Sequence, residues 1–120
     1  MIRKRTTVRL GAVAAVATLG LGLGAGMASA DTTFPANVPG CAGSMTVTRI
    51  GGHDYVQGVV ISTTGDGCSV DLTQSNGRNS SNWTATRVPA RTQQLQDSGI
   101  TSYVVVCNMN TGRCATSASY

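Results

Sequence analysis

The sequence predicts an all-β fold, a small antiparallel β-sandwich or barrel of about six or seven strands with two disulfides. Three observations lead there. From residue 41 onward apolar and polar positions alternate, the period-two pattern of strands with one buried face. Glycine, asparagine and aspartate interrupt that pattern at short intervals, where chain reversal calls for positive φ. Ser and Thr make up about a quarter of residues 31–120, a segment without Lys or Glu, and such a composition suits strands and turns better than helices.

Residues 1–30 read as a signal peptide. Arg3, Lys4, Arg5 and Arg9 precede an apolar stretch from Leu10 to about Met27, and Ala28-Ser29-Ala30 offers the small residues signal peptidase needs. A membrane anchor is the competing reading, since roughly 18 apolar residues approach the span of a bilayer. The Gly-rich run and the Thr, Pro and Asn after it favour cleavage behind Ala30, and Arg3-Lys4-Arg5 is not a clean twin-arginine signal, so ordinary export is expected. Residues 31–120 are then a single secreted β domain. The formal charge of +4 belongs to the leader, because Arg and Asp cancel in 31–120. A neutral domain lacks the basic footprint of a nucleic-acid partner. Without an amphipathic helix it has no hold on a membrane after cleavage.

All four cysteines lie behind the leader, in an oxidising compartment. Cys41, Cys68, Cys107 and Cys114 allow three connectivities, which spacing alone leaves open. Tyr103 to Cys114 reads as a strand, an Asn/Gly turn and a returning strand, which favours a Cys107–Cys114 clip and leaves Cys41 to pair with Cys68. Each bridge stabilises by about 2–4 kcal/mol on the chain-entropy model. That is substantial for a short chain with five aromatics and a thin core. Zinc is disfavoured because no Cys-x-x-Cys pair exists; neither a metal nor a cofactor is expected.

Along the domain, Asp31 to Gly40 is expected to be an extended lead-in. Met45 and Val47 alternate with Thr46 and Thr48 until Gly51-Gly52. Tyr55 to Thr63 carries Val59-Val60-Ile61, the apolar centre of an inner strand. Thr64-Gly65-Asp66-Gly67 is a turn signal of the hairpin kind. Cys68, Val70 and Leu72 share one face of the next strand. Gln74 to Asn82 reads as a polar loop, and Trp83 to Val88 as a strand stopped by Pro89. Ala90 to Asp97 reads as strand or loop; Ile100 to Cys107 and Arg113 to Ser117 complete the set.

Candidate sites are few. His53-Asp54 is the only adjacent imidazole and carboxylate, and a histidine near its ordinary pKa suits acid/base work. No Gly-x-Ser-x-Gly elbow or Glu accompanies it, so an exposed turn is the favoured reading. Asp66 and Asp71 lack the ligand alternation of a calcium loop and read as turn residues. Trp83 and Tyr55 are side chains that a recognition surface would use, though Trp83 is expected to pack in or against the core. A binding surface would draw on His53, Asp54, Tyr55, Arg78 and Trp83, from the loop at Gly51 to Tyr55 or the polar loop at Ser75 to Asn82.

Asp31-Thr32-Thr33, the Pro39 before Cys41, the Gly65-Asp66-Gly67-Cys68 turn, Val88-Pro89 followed by Thr92, and the Tyr103-x-x-x-Cys107 strand together resemble tendamistat-type α-amylase inhibitors. The resemblance covers most of residues 31–107 in scattered turn and cysteine positions. It implies a small secreted bacterial β-sandwich with two disulfides. The departures concern function. That family inhibits through a Trp-Arg-Tyr loop between its first two cysteines; here that interval has no Trp, and Arg49 stands apart from Tyr55. The family's third cysteine position falls near Trp83, and Cys114 is extra. Amylase inhibition is therefore not carried over to any residue.

The expected function is that of a secreted, monomeric, non-enzymatic binding protein, such as an inhibitor of an extracellular hydrolase, with an extracellular protein or polysaccharide as target. Rigid stapled scaffolds present loops well, and a chain with one His and no Glu has little from which to build an acid/base pair. A structural, cell-surface or spore-associated protein is the alternative, and a small hydrolase using His53 the third.

Overall fold

The computed structural model describes residues 31–120; the leader expected over residues 1–30 lies outside them. In chain order the strands are β1 (Thr32–Val38), β2 (Cys41–Ile50), β3 (His53–Ser62), β4 (Cys68–Gln74), β5 (Asn79–Thr84), β6 (Ala90–Arg91), β7 (Leu95–Gln96), β8 (Ser102–Asn108) and β9 (Cys114–Thr116). One antiparallel sheet has the order β1-β2-β3-β6, with β7 beside β6 on the same edge of β3. The other runs β5-β4-β8-β9. Seven strands exceed two residues, in line with the expected number, and the two shortest come from the Gln-rich stretch.

Strand alternation explains how the sheets close on each other. Cys41, Met45 and Val47 of β2 are buried, as are Val56 and Val60 of β3. Against them the second sheet turns Cys68, Val70 and Leu72 of β4, with Val104 and Val106 of β8. Two inward positions are glycine for lack of room. A Cβ on Gly43 would come within 2.5 Å of Val106 Cγ2, and one on Gly58 within 2.8 Å of Val70 Cγ2. The absent side chains let the sheets meet closely there, which keeps the interior close-packed.

Polar residues continue the inward rows where the apolar ones stop. At one end stand Ser62 and Asn108, and at the other Gln74, Ser102 and Asp97, all buried. The first end also carries the Cys41–Cys68 bridge, which joins the sheets, whereas Cys107–Cys114 clips the β8–β9 hairpin across a register pair. Both pairings are those the sequence favours.

Several local expectations are corrected. Asp31 to Gly40 is more than a lead-in: its Thr32–Val38 portion is an edge strand hydrogen-bonded to β2. Residues 64–67 connect one sheet to the other instead of closing a hairpin, since β3 and β4 lie in different sheets. The polar loop shrinks to Ser75–Arg78, because Ser80 and Asn82 supply the inward rungs opposite Leu72 and Val70. The strand expected to reach Val88 ends at Thr84. There Thr84 Oγ1 donates to the Val88 carbonyl at 3.0 Å and accepts the Thr86 amide at 3.2 Å, and side-chain bonds of this kind compete with a ladder. Of Val59-Val60-Ile61 only Val60 enters the core, as strand parity requires.

Candidate functional site

The two ends of the sandwich differ in chemistry. Gly51 and Gly52, with φ of 58° and 83°, reverse the chain between β2 and β3 and so place Arg49 opposite Asp54. Arg49 Nη1 lies 3.2 Å from Asp54 Oδ1, and Tyr120 Oη donates to Asp54 Oδ2 at 2.8 Å. His53 points to the other face of β3, its Nδ1 3.4 Å from Ser98 Oγ. Neighbours in sequence thus become separate groups in space, and His53 and Asp54 form no dyad. Tyr55 is half-buried within the sheet, opposite Thr48 and Gln96.

Beneath this cluster lies Asp97, next to the end of β7. Its amide donates to the Asp54 carbonyl at 2.8 Å, and its Oδ1 accepts from Ser102 Oγ at 2.8 Å. Gln74 Nε2 donates to that same hydroxyl at 3.1 Å and to the Gln96 carbonyl at 3.0 Å. Burial pushes the Asp97 carboxyl up from its ordinary value; the Ser102 hydrogen bond pulls the other way and the nearby Asp54 charge adds to the rise. The hydrogen bond to Asp54 raises the Tyr120 phenol.

Ile50 and Tyr120 are exposed at the Asp54 end, and the opposite end presents three large apolar side chains, each exposed further. Trp83 is 59% exposed, Val88 71% and Met109 57%. The expectation that Trp83 packs in or against the core is overturned, and its register shows why. Opposite Ser69 on β4, it stands on the outward face of edge strand β5, one residue out of phase with the inward Asn82 and Thr84. Val88 and Met109 sit on loops that hydrogen bonds tie to neighbouring segments. The Thr84 bonds brace the first; in the second, the Met109 amide donates to the Gly67 carbonyl at 2.7 Å. The bridge that anchors Gly67's neighbour Cys68 lies directly below.

The five residues singled out in the sequence therefore do not converge. His53 and Asp54 lie at one end, Tyr55 stands in β3, Arg78 closes the β4–β5 turn and Trp83 is at the other end. Gln74, Asp97, Ser102, Val88 and Met109 belong to the two ends without standing out in the sequence as site residues. Parity carries a signal for two of them: Gln74 is in phase with Val70 and Leu72, and Ser102 with Val104 and Val106. Polar residues on a core phase announce a buried hydrogen-bond network.

No cluster of three or more metal-ligating side chains exists among the described residues. No helix among them is long and apolar enough to cross a membrane. Fold and site together define a disulfide-bonded, all-β domain of the kind built in oxidising surroundings. The chain matches no protein family, and neither a curated protein nor a solved structure matches it.

Proposed function

We propose that the chain is a secreted, non-enzymatic binding protein that captures an extracellular protein, in the manner of a hydrolase inhibitor, through the end bearing Trp83, Val88 and Met109. The supporting observation is the exposure of the single Trp on a braced edge strand, at the same end as two other exposed large apolar side chains. A flat ring held outward by a rigid scaffold gives contact area with little ordering entropy, which is how binding hot spots work. On this reading the surface lies away from the Gly51–Tyr55 loop.

The test mixes the secreted protein with a panel of extracellular α-amylases and proteases. At least one rate falls, and Trp83→Ala weakens the effect by about 30-fold, the consequence of losing a hot spot worth about 2 kcal/mol. Unchanged rates across the panel, or inhibition indifferent to Trp83→Ala, would remove this reading.

A further inference from the structure

Two buried side-chain oxygens have no hydrogen-bond partner among the described residues: Asp97 Oδ2 and Gln74 Oε1. Both residues are more than nine-tenths buried, at 5% and 2% exposure. They belong to one network, since each also bonds the Ser102 hydroxyl. That hydroxyl is already donating to Asp97 Oδ1, so it has no proton left for either orphan. An unmet buried acceptor is costly, and an unmet buried carboxylate oxygen more so.

We propose that Asp97 is a protonation latch: a proton on Oδ2 keeps the segment 118–120 docked, and its loss releases that segment. The proton removes the buried charge and turns one orphan acceptor into a donor. It requires no cavity. Ser102 links the carboxyl to that segment, because its amide donates to the Tyr120 carbonyl at 3.0 Å and its carbonyl accepts the Tyr120 amide at 2.9 Å. Tyr120 is held besides by Asp54 and by its ring, 5.8 Å between centroids from that of Phe34.

The groups around Asp97 set the direction. On β3 are Asp54 and His53, on β2 Arg49, and on the terminal segment Tyr120; Gln74 of β4 and Ser102 of β8 are neutral. Arg49 is committed to Asp54 and Gly52, and His53 meets Ser98 and forms no ion pair with Asp97. Ionised Asp97 thus adds a second negative charge beside Asp54 without a cation of its own. A carboxyl bound more tightly to its proton in the folded state stabilises the fold below the unfolded value of 3.8, and that stability is lost as pH rises through the raised folded value.

Carboxyl-carbon NMR of the full domain measures the Asp97 titration, and amide exchange, corrected for intrinsic rates, measures docking at Ser102 and Tyr120. Asp97 titrates above the ordinary range, and the opening constant of the Tyr120 amide rises with pH up to the Asp97 midpoint, by at most about tenfold per pH unit. In Asp97→Asn, which carries a permanent donor in place of the proton, that dependence disappears. Titration at the ordinary value, or exchange at Tyr120 that ignores pH in the wild-type protein, overturns the proposal. So does protection at Tyr120 that follows added sodium or potassium instead of acid, which would make the oxygens a cation site. None of these readouts depends on the Trp83 surface.

Discussion

Asn108 and Asp66, 42 residues apart, are joined by a 2.9 Å hydrogen bond from Nδ2 to Oδ2 inside one end of the sandwich. The same Nδ2 donates to the Pro39 carbonyl at 3.0 Å, and Oδ1 accepts the amides of Asn110 and Thr111. One buried amide thereby ties three turns together. Asn108→Ala leaves several of those groups unpaired at once, so the folded state loses about 3 kcal/mol. Urea unfolding measures it; a midpoint within error of wild type would show that the turns hold without Asn108.

The two bridges differ in accessibility. Cys41 and Cys68 are buried, whereas Cys114 is exposed. A thiolate must reach sulfur to exchange with it, so mild reductant opens Cys107–Cys114 first, as peptide mapping after alkylation will show. The bridges also close loops of unequal length, with separations of 27 and 7 residues. The chain-entropy model then assigns about 3.5 kcal/mol to the first and about 2.4 kcal/mol to the second. Paired Cys→Ser variants should therefore lose more at 41/68 than at 107/114.

The strand content and the sulfur pairing were legible because both rest on local chemistry. Alternation at Met45/Val47 and at Cys68/Val70/Leu72 reports burial directly, and the hairpin before Cys114 sits within one short segment. What stayed hidden depends on distant partners. Asp66-Gly67 has the residues of a hairpin turn, yet the chain crosses between sheets there because Asn108 and the Cys41 bridge hold it. The face on which Trp83 lies follows from where β5 begins, and Asn79 to Asn82 has too few apolar residues to reveal a strand. The unsatisfied Asp97 exists only because Gln74, Ser102 and Tyr120 arrive from three other segments.

Glycine substitutions separate contact from conformation. Gly58 has ordinary backbone geometry but no room, so Gly58→Ala overpacks Val70 and Val104 and destabilises by about 1–3 kcal/mol. Gly51 is the reverse case: its φ is 58° and nothing lies within 4 Å of an added Cβ. Asparagine tolerates that conformation, and Gly51→Asn should stay within about 0.5 kcal/mol of wild type. Gly40 combines both constraints, with φ of 90° and a Cβ position 2.7 Å from Asn108 Nδ2, so Gly40→Ala should be the worst of the three in thermal unfolding.

Trp83 offers a test in which stability and binding part company. Its side chain stands outside the core on an edge strand, and its backbone amide accepts no burden from the ring, since Asn82 Oδ1 receives that N–H at 2.8 Å. Removing the indole therefore leaves the sandwich intact, and Trp83→Ala should unfold within about 0.5 kcal/mol of wild type. Because this is the chain's single Trp, the native emission maximum should lie close to that of the urea-unfolded chain. A strongly blue-shifted native spectrum, or a loss of several kcal/mol on truncation, would place the ring in the core and withdraw it from any recognition surface.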